Sequence, residues 1–329
     1  MLIVVTGATG HVGANMVRGL LEQGFSVRAV YHSESKLTAL KGLPLETVKA
    51  DVLDPSSLAH AFAGAHAVVN LAAIISIGGD PKGLVMTTNT QGPRNVVAAC
   101  LQAGVGKLIH FSSIHAFHYT AKDPVVNESS PPADADPRAF AYSRSKAIGE
   151  REVLKGLDQG LDVNVFNPTS VIGPHDYFGS LSGDMLRKLF RGALPALIRG
   201  GFDWVDARDL VPPVIEVLNH SRPGERYLLS GRWASFRELA GIAHAVSGVK
   251  PPLLTLPVWA AMAGLPFLQL HSRLTSRQAL YTWESLRIIQ DSNLNCSHEK
   301  AARELGYQPR ALEETVRDIF EWDKGLGVG

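Results

Sequence analysis

Apolar and polar positions fall into two regimes along this chain. Up to about residue 173, short β-branched runs alternate with longer stretches of helical period, the mark of repeated strand–helix–strand units and a parallel sheet. The pattern predicts strands at 2–6, 26–31, 46–49, 67–71, 107–112, 162–167 and 226–229, and helices at 11–23, 56–63, 87–103 and 142–155. The strands read as nearly continuous apolar runs, as strands covered on both faces do. After Gly173-Pro174 the alternation is lost, and helical patterns dominate at 183–191, 235–247, 257–269, 297–304 and 312–324. The expected fold is α/β: a doubly wound parallel sheet on 1–173 and 203–231, with a smaller, mainly helical C-terminal lobe on 174–202 and 232–329 for the substrate.

Composition narrows the function classes. The chain has 329 residues, 45% hydrophobic and 19% charged, with a formal charge of +1, so it has no global field for nucleic acid or anionic lipid. Cys100 and Cys296 are too few for a disulfide framework or a Cys-rich metal site; no metal is expected, and a reducing cytosol suits them. The sequence opens directly on a strand and a glycine loop, which predicts no export signal and a cytoplasmic location. Residues 251–270 (PPLLTLPVWAAMAGLPFLQL) carry no charge, but Pro257, Gly264 and Pro266 interrupt them. They are expected to pack in the second lobe or line an apolar substrate pocket, ahead of peripheral membrane contact, and an integral membrane role is not expected. Residues 123–138, rich in Pro, Asp and Ser, are expected to form a flexible cover.

The segment Thr6-Gly7-Ala8-Thr9-Gly10-His11-Val12-Gly13 follows a strand and opens a helix, the context a dinucleotide-binding glycine motif requires. One glycine permits the tight turn, one the approach of a pyrophosphate to the backbone, and one close helix–strand packing, with the helix N-terminus favouring negative charge. This makes the sheet Rossmann-type. The second strand ends Tyr31-His32-Ser33 without the carboxylate that usually holds the ribose 2′-hydroxyl of NAD. His32, Ser33, Lys36 and Arg28 could instead meet a 2′-phosphate, so NADP is preferred over NAD. Asp51 and Val52 after the third strand are assigned to the adenine, and Leu71, Ala72 and Ala73 after the fourth leave room for the cofactor.

Tyr142 and Lys146 share one helix face at i, i+4. An adjacent ammonium is expected to lower a tyrosine pKa toward neutrality and make the hydroxyl a proton donor and acceptor. Ser113 ends the fifth strand, at the sheet edge where ligands bind, and can hold a substrate oxygen. His115 is left outside the site as a structural histidine.

These residues resemble a family. TGATGHVG at 6–13, DVLD at 51–54, NLAA at 70–73, NTQGPRNVV at 89–97, HFSSIHAF at 110–117, YSRSK at 142–146, NPTSVIGP at 167–174, WVDARDLV at 204–211 and KAARELGYQPR at 300–310 are similar to the extended short-chain dehydrogenases/reductases, the NAD-dependent epimerase/dehydratase superfamily. Within it the chain resembles the dihydroflavonol-4-reductase-like and 3β-hydroxysteroid-dehydrogenase-like branch. The resemblance implies Ser113, Tyr142 and Lys146 as catalytic triad, Asn89 at the helix after the fourth strand, and Pro168 and Val171 against the nicotinamide. Asn70 stands where many relatives have histidine, and Pro93 replaces a threonine or alanine. Ser170 occupies the place of the asparagine that contacts the nucleotide in sugar-nucleotide members, which favours the reductase branch.

The expected activity is NAD(P)-dependent reduction of an aldehyde or ketone in a rather apolar small molecule, with Tyr142 as proton donor. The alternative is a nucleotide-sugar epimerase or dehydratase, for which Arg187, Lys188, Arg191, Arg199 and Arg208 could bind a diphosphate. A dinucleotide sensor without catalysis is a third reading. No nucleic-acid partner is expected, and a homodimer is left open.

Overall fold

The computed structural model describes residues 1–265, 282–292 and 295–326. Seven strands form one parallel sheet in the order β10-β6-β5-β4-β1-β2-β3: β1 (Leu2–Thr6), β2 (Ser26–Tyr31), β3 (Glu46–Lys49), β4 (Ala67–Asn70), β5 (Lys107–Phe111), β6 (Asp162–Pro168) and β10 (Arg226–Leu229). The strand order reverses between β1 and β4, which places a ligand crevice at the C-terminal ends of those strands.

Alternate residues of each strand serve opposite faces. Ile3 and Val5 pack with Met16, Val17 and Leu20 of α1 (His11–Glu22) and Val214 and Val217 of α6 (Val211–Asn219). Val4 points the other way and joins Leu58 and Phe62 of α2 (Pro55–Phe62), Val96 and Cys100 of α3 (Leu84–Gln102) and Val153 of α4 (Ala141–Leu154). Each such side chain, fully buried, contributes about 1.5–3 kcal/mol. The helix packing can be very close: a Cβ on Gly149 of α4 would lie 2.4 Å from the Asn89 carbonyl oxygen of α3.

A second core gathers around a three-stranded sheet of order β11-β9-β7: β7 (Ser170–Ile172), β9 (Gly201–Asp206) and β11 (Arg232–Ser235). Against it pack α5 (Leu181–Phe190), α7 (Phe236–Ser247), α8 (Trp283–Asp291) and α10 (Leu312–Gly325), while β8 (Leu197–Ile198) pairs with β12 (Thr255–Leu256). Between these helices α9 (Glu299–Leu305) returns to the first core, where Ala301, Leu305 and Tyr307 are buried. Only Thr169 separates β6 from β7, so one extended segment feeds both sheets, fastened by the Thr169 hydroxyl donating to Asp203 at 2.7 Å.

The region after Gly173 is less purely helical than its pattern suggests. Its strands are two to six residues long, too short to show alternation, and α6 begins Val-Pro-Pro, where Pro is tolerated only because the first helical turn needs no backbone donor. Residues 123–138 are not a free cover. Val126 N–H donates to Asn295 O at 2.9 Å, Asn295 Nδ2 to Pro124 O at 2.9 Å, Arg226 to Glu128 O at 2.8 Å, and Asp134 pairs with Arg151. Of the uncharged stretch, residues 258–265 are helical, with Ala261 and Leu265 buried in the second core; Leu253, Leu254 and Trp259 are exposed, and 266–270 lie outside the described residues. Among the described residues no helix is long and apolar enough to cross a membrane.

Candidate active site

Thr6, Asn70 and His110 stand in register at the ends of β1, β4 and β5. The Thr6 hydroxyl donates to Asn70 Oδ1 at 2.6 Å and accepts from Ala72 N–H at 3.3 Å, while Asn70 Nδ2 lies 2.9 Å from His110 Nδ1. Since Asn70 Oδ1 is the acceptor from Thr6, its amide nitrogen donates to His110 Nδ1 and the histidine proton sits on Nε2. Burial, and secondarily the Lys146 charge, holds His110 well below the ordinary histidine range. Asn70, a departure from the family pattern, thus stitches three strand ends beneath the crevice.

The glycine loop lies on this floor. Gly7 has φ +65° and a Cβ there would come 2.9 Å from Ala72 N; a Cβ on Gly13 would meet the Gly7 carbonyl oxygen at 2.2 Å. Gly10 N–H donates to Gly7 O at 3.0 Å and caps α1 without any side chain, so the first-turn N–H groups have no side-chain acceptor. Thr9 is buried and Val12 half-buried beside them. A tight backbone cradle at an uncapped helix N-terminus fits a dinucleotide pyrophosphate.

The His11 side chain faces elsewhere than the sequence suggests. Its Nε2 lies 3.1 and 3.2 Å from the carbonyl oxygens of Gly173 and Pro174, and burial lowers its pKa. With Asn15 Nδ2 donating to Pro174 O at 2.9 Å, it fastens the loop to the end of β7, leaving its backbone for a cofactor. At the end of β2, His32 is exposed and its Nε2 lies 3.3 Å from Asp51 Oδ2; the Lys36 ammonium sits over the Phe178 ring at 5.6 Å. Arg28 does not join them, because its guanidinium bonds Glu46 and the carbonyls of Ala61 and Ala63 at 2.7–2.9 Å. Val52 packs under Gly92 of α3 and its carbonyl accepts from Asn95. Leu71 and Ala72 are half-buried and Ala73 exposed along the loop after β4, which Asn89 pins through paired bonds of 2.9 Å to the Ile74 N–H and carbonyl.

Opposite the glycine loop, β5 and α4 bring Ser113, Tyr142 and Lys146 together. Tyr142 lies in the first turn of α4, near the Ser113 side chain. Burial pushes the Tyr142 pKa up to about 12, with Ser113 opposing the rise. Lys146 is buried one turn later, donating to the Phe111 carbonyl oxygen at 2.9 Å, and burial brings its pKa down to about 8 while Glu150 opposes the fall. The expected lowering of Tyr142 toward neutrality by Lys146 is therefore not what this arrangement produces: desolvation dominates, and the hydroxyl keeps its proton. Asn89 also reaches this side, donating to Ser145 Oγ at 3.0 Å, which in turn donates to the Tyr142 carbonyl at 2.7 Å. Pro168 is buried at the end of β6 and Val171 half-buried in β7.

Two features are not singled out by motif reading. Glu150 continues the i, i+4 spacing of Tyr142 and Lys146, a signal present in the sequence. Its buried carboxylate accepts from Asn167 Nδ2 at 2.5 Å and Arg226 at 3.0 Å, and the same Asn167 amide donates to the Ser113 carbonyl at 3.0 Å. His115, set aside as structural, places its ring edge against Tyr142, centroids 5.8 Å apart.

The pattern describing the NAD dependent epimerase/dehydratase family matches residues 3–230. Sterol demethylase protein B of Methylococcus capsulatus is 30% identical over 331 residues, covering 100% of both chains. The 3-beta-hydroxysteroid dehydrogenase of Mycolicibacterium neoaurum is 27% identical, covering 93% of this chain and 87% of its own. The solved structure of gox2253 superposes with a TM-score of 0.85 at 28% identity, covering 99% of each chain. With its seven-stranded Rossmann-type sheet and matching motifs, the chain belongs to the NAD-dependent epimerase/dehydratase family, the extended short-chain dehydrogenases/reductases.

Proposed function

We propose that the protein is an NADPH-dependent carbonyl reductase acting on bulky, largely apolar aldehydes or ketones. The observation that carries the reading is the grouping of Ser113, at the end of β5, with Tyr142 and, one turn behind it, the buried Lys146, at the same sheet edge as the glycine loop. Bound NADPH supplies the hydride. Ser113 orients the carbonyl oxygen, and Tyr142, protonated throughout the neutral range, donates a proton to that oxygen as negative charge develops on it. Lys146 supplies positive charge beneath the tyrosine and a donor for the cofactor ribose. Residues 1–173 with 203–231 hold the dinucleotide in this reading, with Thr6, Gly7, Thr9, Gly10, Val12 and Gly13 around the pyrophosphate, Asp51 and Val52 at the adenine and Pro168 and Val171 near the nicotinamide. The remaining lobe holds the substrate. His32 and Lys36, with no carboxylate ending β2, support NADPH over NADH.

Ion pairing disfavours the sugar-nucleotide alternative. Arg187 is engaged by Asp184 at 3.3 Å and Asp323 at 3.2 Å, and Arg208 by Asp206 and Asp318, each at 2.7 Å. Those cations are neutralised by protein carboxylates rather than held ready for a diphosphate. The hydroxysteroid acted on by the Mycolicibacterium relative, by its name, is an alicyclic substrate of the proposed kind.

The test is an NADPH-oxidation assay over aromatic and alicyclic carbonyls, with Tyr142→Phe beside the wild type. Removing only the acid should lower kcat by about 10² to 10⁴ while leaving NADPH affinity nearly intact. A variant retaining more than half of the activity, or a wild type that reduces no carbonyl and binds UDP at micromolar concentration, overturns the reading.

A further inference from the structure

The short turn Ile114–Ala116 carries His115 two residues beyond Ser113, and its backbone N–H donates to the Ser113 hydroxyl oxygen at 3.2 Å. The imidazole is half-buried and stands edge-on to Tyr142 with the ring planes at 67°. Among the described residues neither ring nitrogen has a hydrogen-bond partner. Two other histidines near the crevice differ in this respect: His11 is held by the carbonyls of Gly173 and Pro174, and His110 by Asn70. Burial brings the His115 pKa down to about 4, so near neutrality the ring is uncharged and presents one N–H donor and one lone pair. Three residues earlier, the Ser112 hydroxyl oxygen is also buried without a partner. Polar groups that lose water and gain nothing are destabilising, and the loss is made good when a ligand completes their bonds.

We propose that His115 is a specificity-determining residue, whose imidazole binds a second oxygen of the substrate, on the carbon next to the reacting carbonyl or one further along. Ser113 and Tyr142 take the reacting oxygen. Because the His115 main chain already touches the Ser113 hydroxyl, its side chain reaches only atoms close to that oxygen. The substrate class is then an α-hydroxy ketone, a β-oxo ester or a 1,3-dicarbonyl carried on an apolar body. This rests on the carbonyl-reductase reading and adds the second oxygen to it. A site that hydrogen-bonds a substrate oxygen rejects analogues lacking it more strongly than a purely apolar pocket can.

The experiment compares ethyl benzoylacetate with valerophenone, which is similar in apolar bulk and lacks the ester, as substrates for NADPH-dependent reduction. The readout is the ratio of their kcat/KM values in the wild type, His115→Phe and His115→Gln. The ratio should fall about tenfold or more in His115→Phe and be largely restored in His115→Gln, which keeps a donor and an acceptor. His115→Ala is read in place of the Phe variant should that fail to fold. An unchanged ratio, with both ketones still reduced, overturns the inference and leaves the reductase reading standing. Reduction of neither ketone by the wild type overturns both.

Discussion

Tyr142 enters a reduction as the acid because burial holds its hydroxyl near pKa 12, far above the working range. Lys146 is the group that changes charge within reach of ordinary buffers: burial lowers it to about 8, and the Glu150 carboxylate one turn on resists that fall. As pH rises through about 8 the free protein loses the ammonium beneath the tyrosine, so kcat/KM for reduction should be level on the acid side and fall on the alkaline side. Replacing Glu150 by Gln removes the charge that favours the ammonium, so the falling limb should move to lower pH. Initial rates between pH 6 and pH 10 for both proteins check this; an unmoved limb would show that Glu150 only fills space between Asn167 and Arg226.

At the scale of elements, the active-site floor depends on how α3 and α4 lean together. Asn89 links both helices to the loop after β4 through its bonds to Ile74 and Ser145. Asn89→Ala removes three buried hydrogen bonds and should destabilise the protein by about 2–4 kcal/mol. Urea unfolding measures it, and a loss below about 0.5 kcal/mol would mean the junction is held by packing alone. The sheet was legible in the sequence because strands covered on both faces are largely apolar, as in β1 (LIVVT) and β4 (AVVN); β1, β2, β3 and β10 begin and end at the expected residues, although the edge strand β3 (ETVK) is mostly exposed. The short strands around the second core and the proline-headed α6 were not, because their stability comes from partners distant in the chain. The same division runs through the site. The glycine loop and the Tyr142–Lys146 spacing announce themselves locally, whereas the Asn167 bridge between Glu150 and Ser113 and the outward turn of His11 exist only once β6 and β7 lie beside α4 and α1.

Across the whole molecule the two thiols report on how the cores hold together. Cys100 is buried in α3 and Cys296 pairs across to Val126, and burial raises both, Cys296 to about 12 and Cys100 further. Thiolate is the reactive form, so iodoacetamide at pH 8 should leave the native chain unlabelled. Because α9 packs into the first core from the far end of the chain, both thiols should become reactive at one urea midpoint. Labelling of Cys296 at clearly lower urea would show that the C-terminal part opens separately. The bare first turn of α1, capped by Gly10 with no side chain, bears on the molecule's survival as well as its chemistry. An anion that completes those N–H groups binds the folded chain and not the unfolded one, adding about 2.7 kcal/mol when present at a hundred times its dissociation constant. That is a large part of the roughly 5–15 kcal/mol that keeps a typical protein folded. Thermal melting with NADPH and with NADH therefore ranks the two cofactors before any substrate is known, and the larger rise should come with NADPH. In a cell, the lifetime of this protein is thereby tied to the supply of its dinucleotide: starved of it, the chain unfolds more often and is the more readily cleared by proteases.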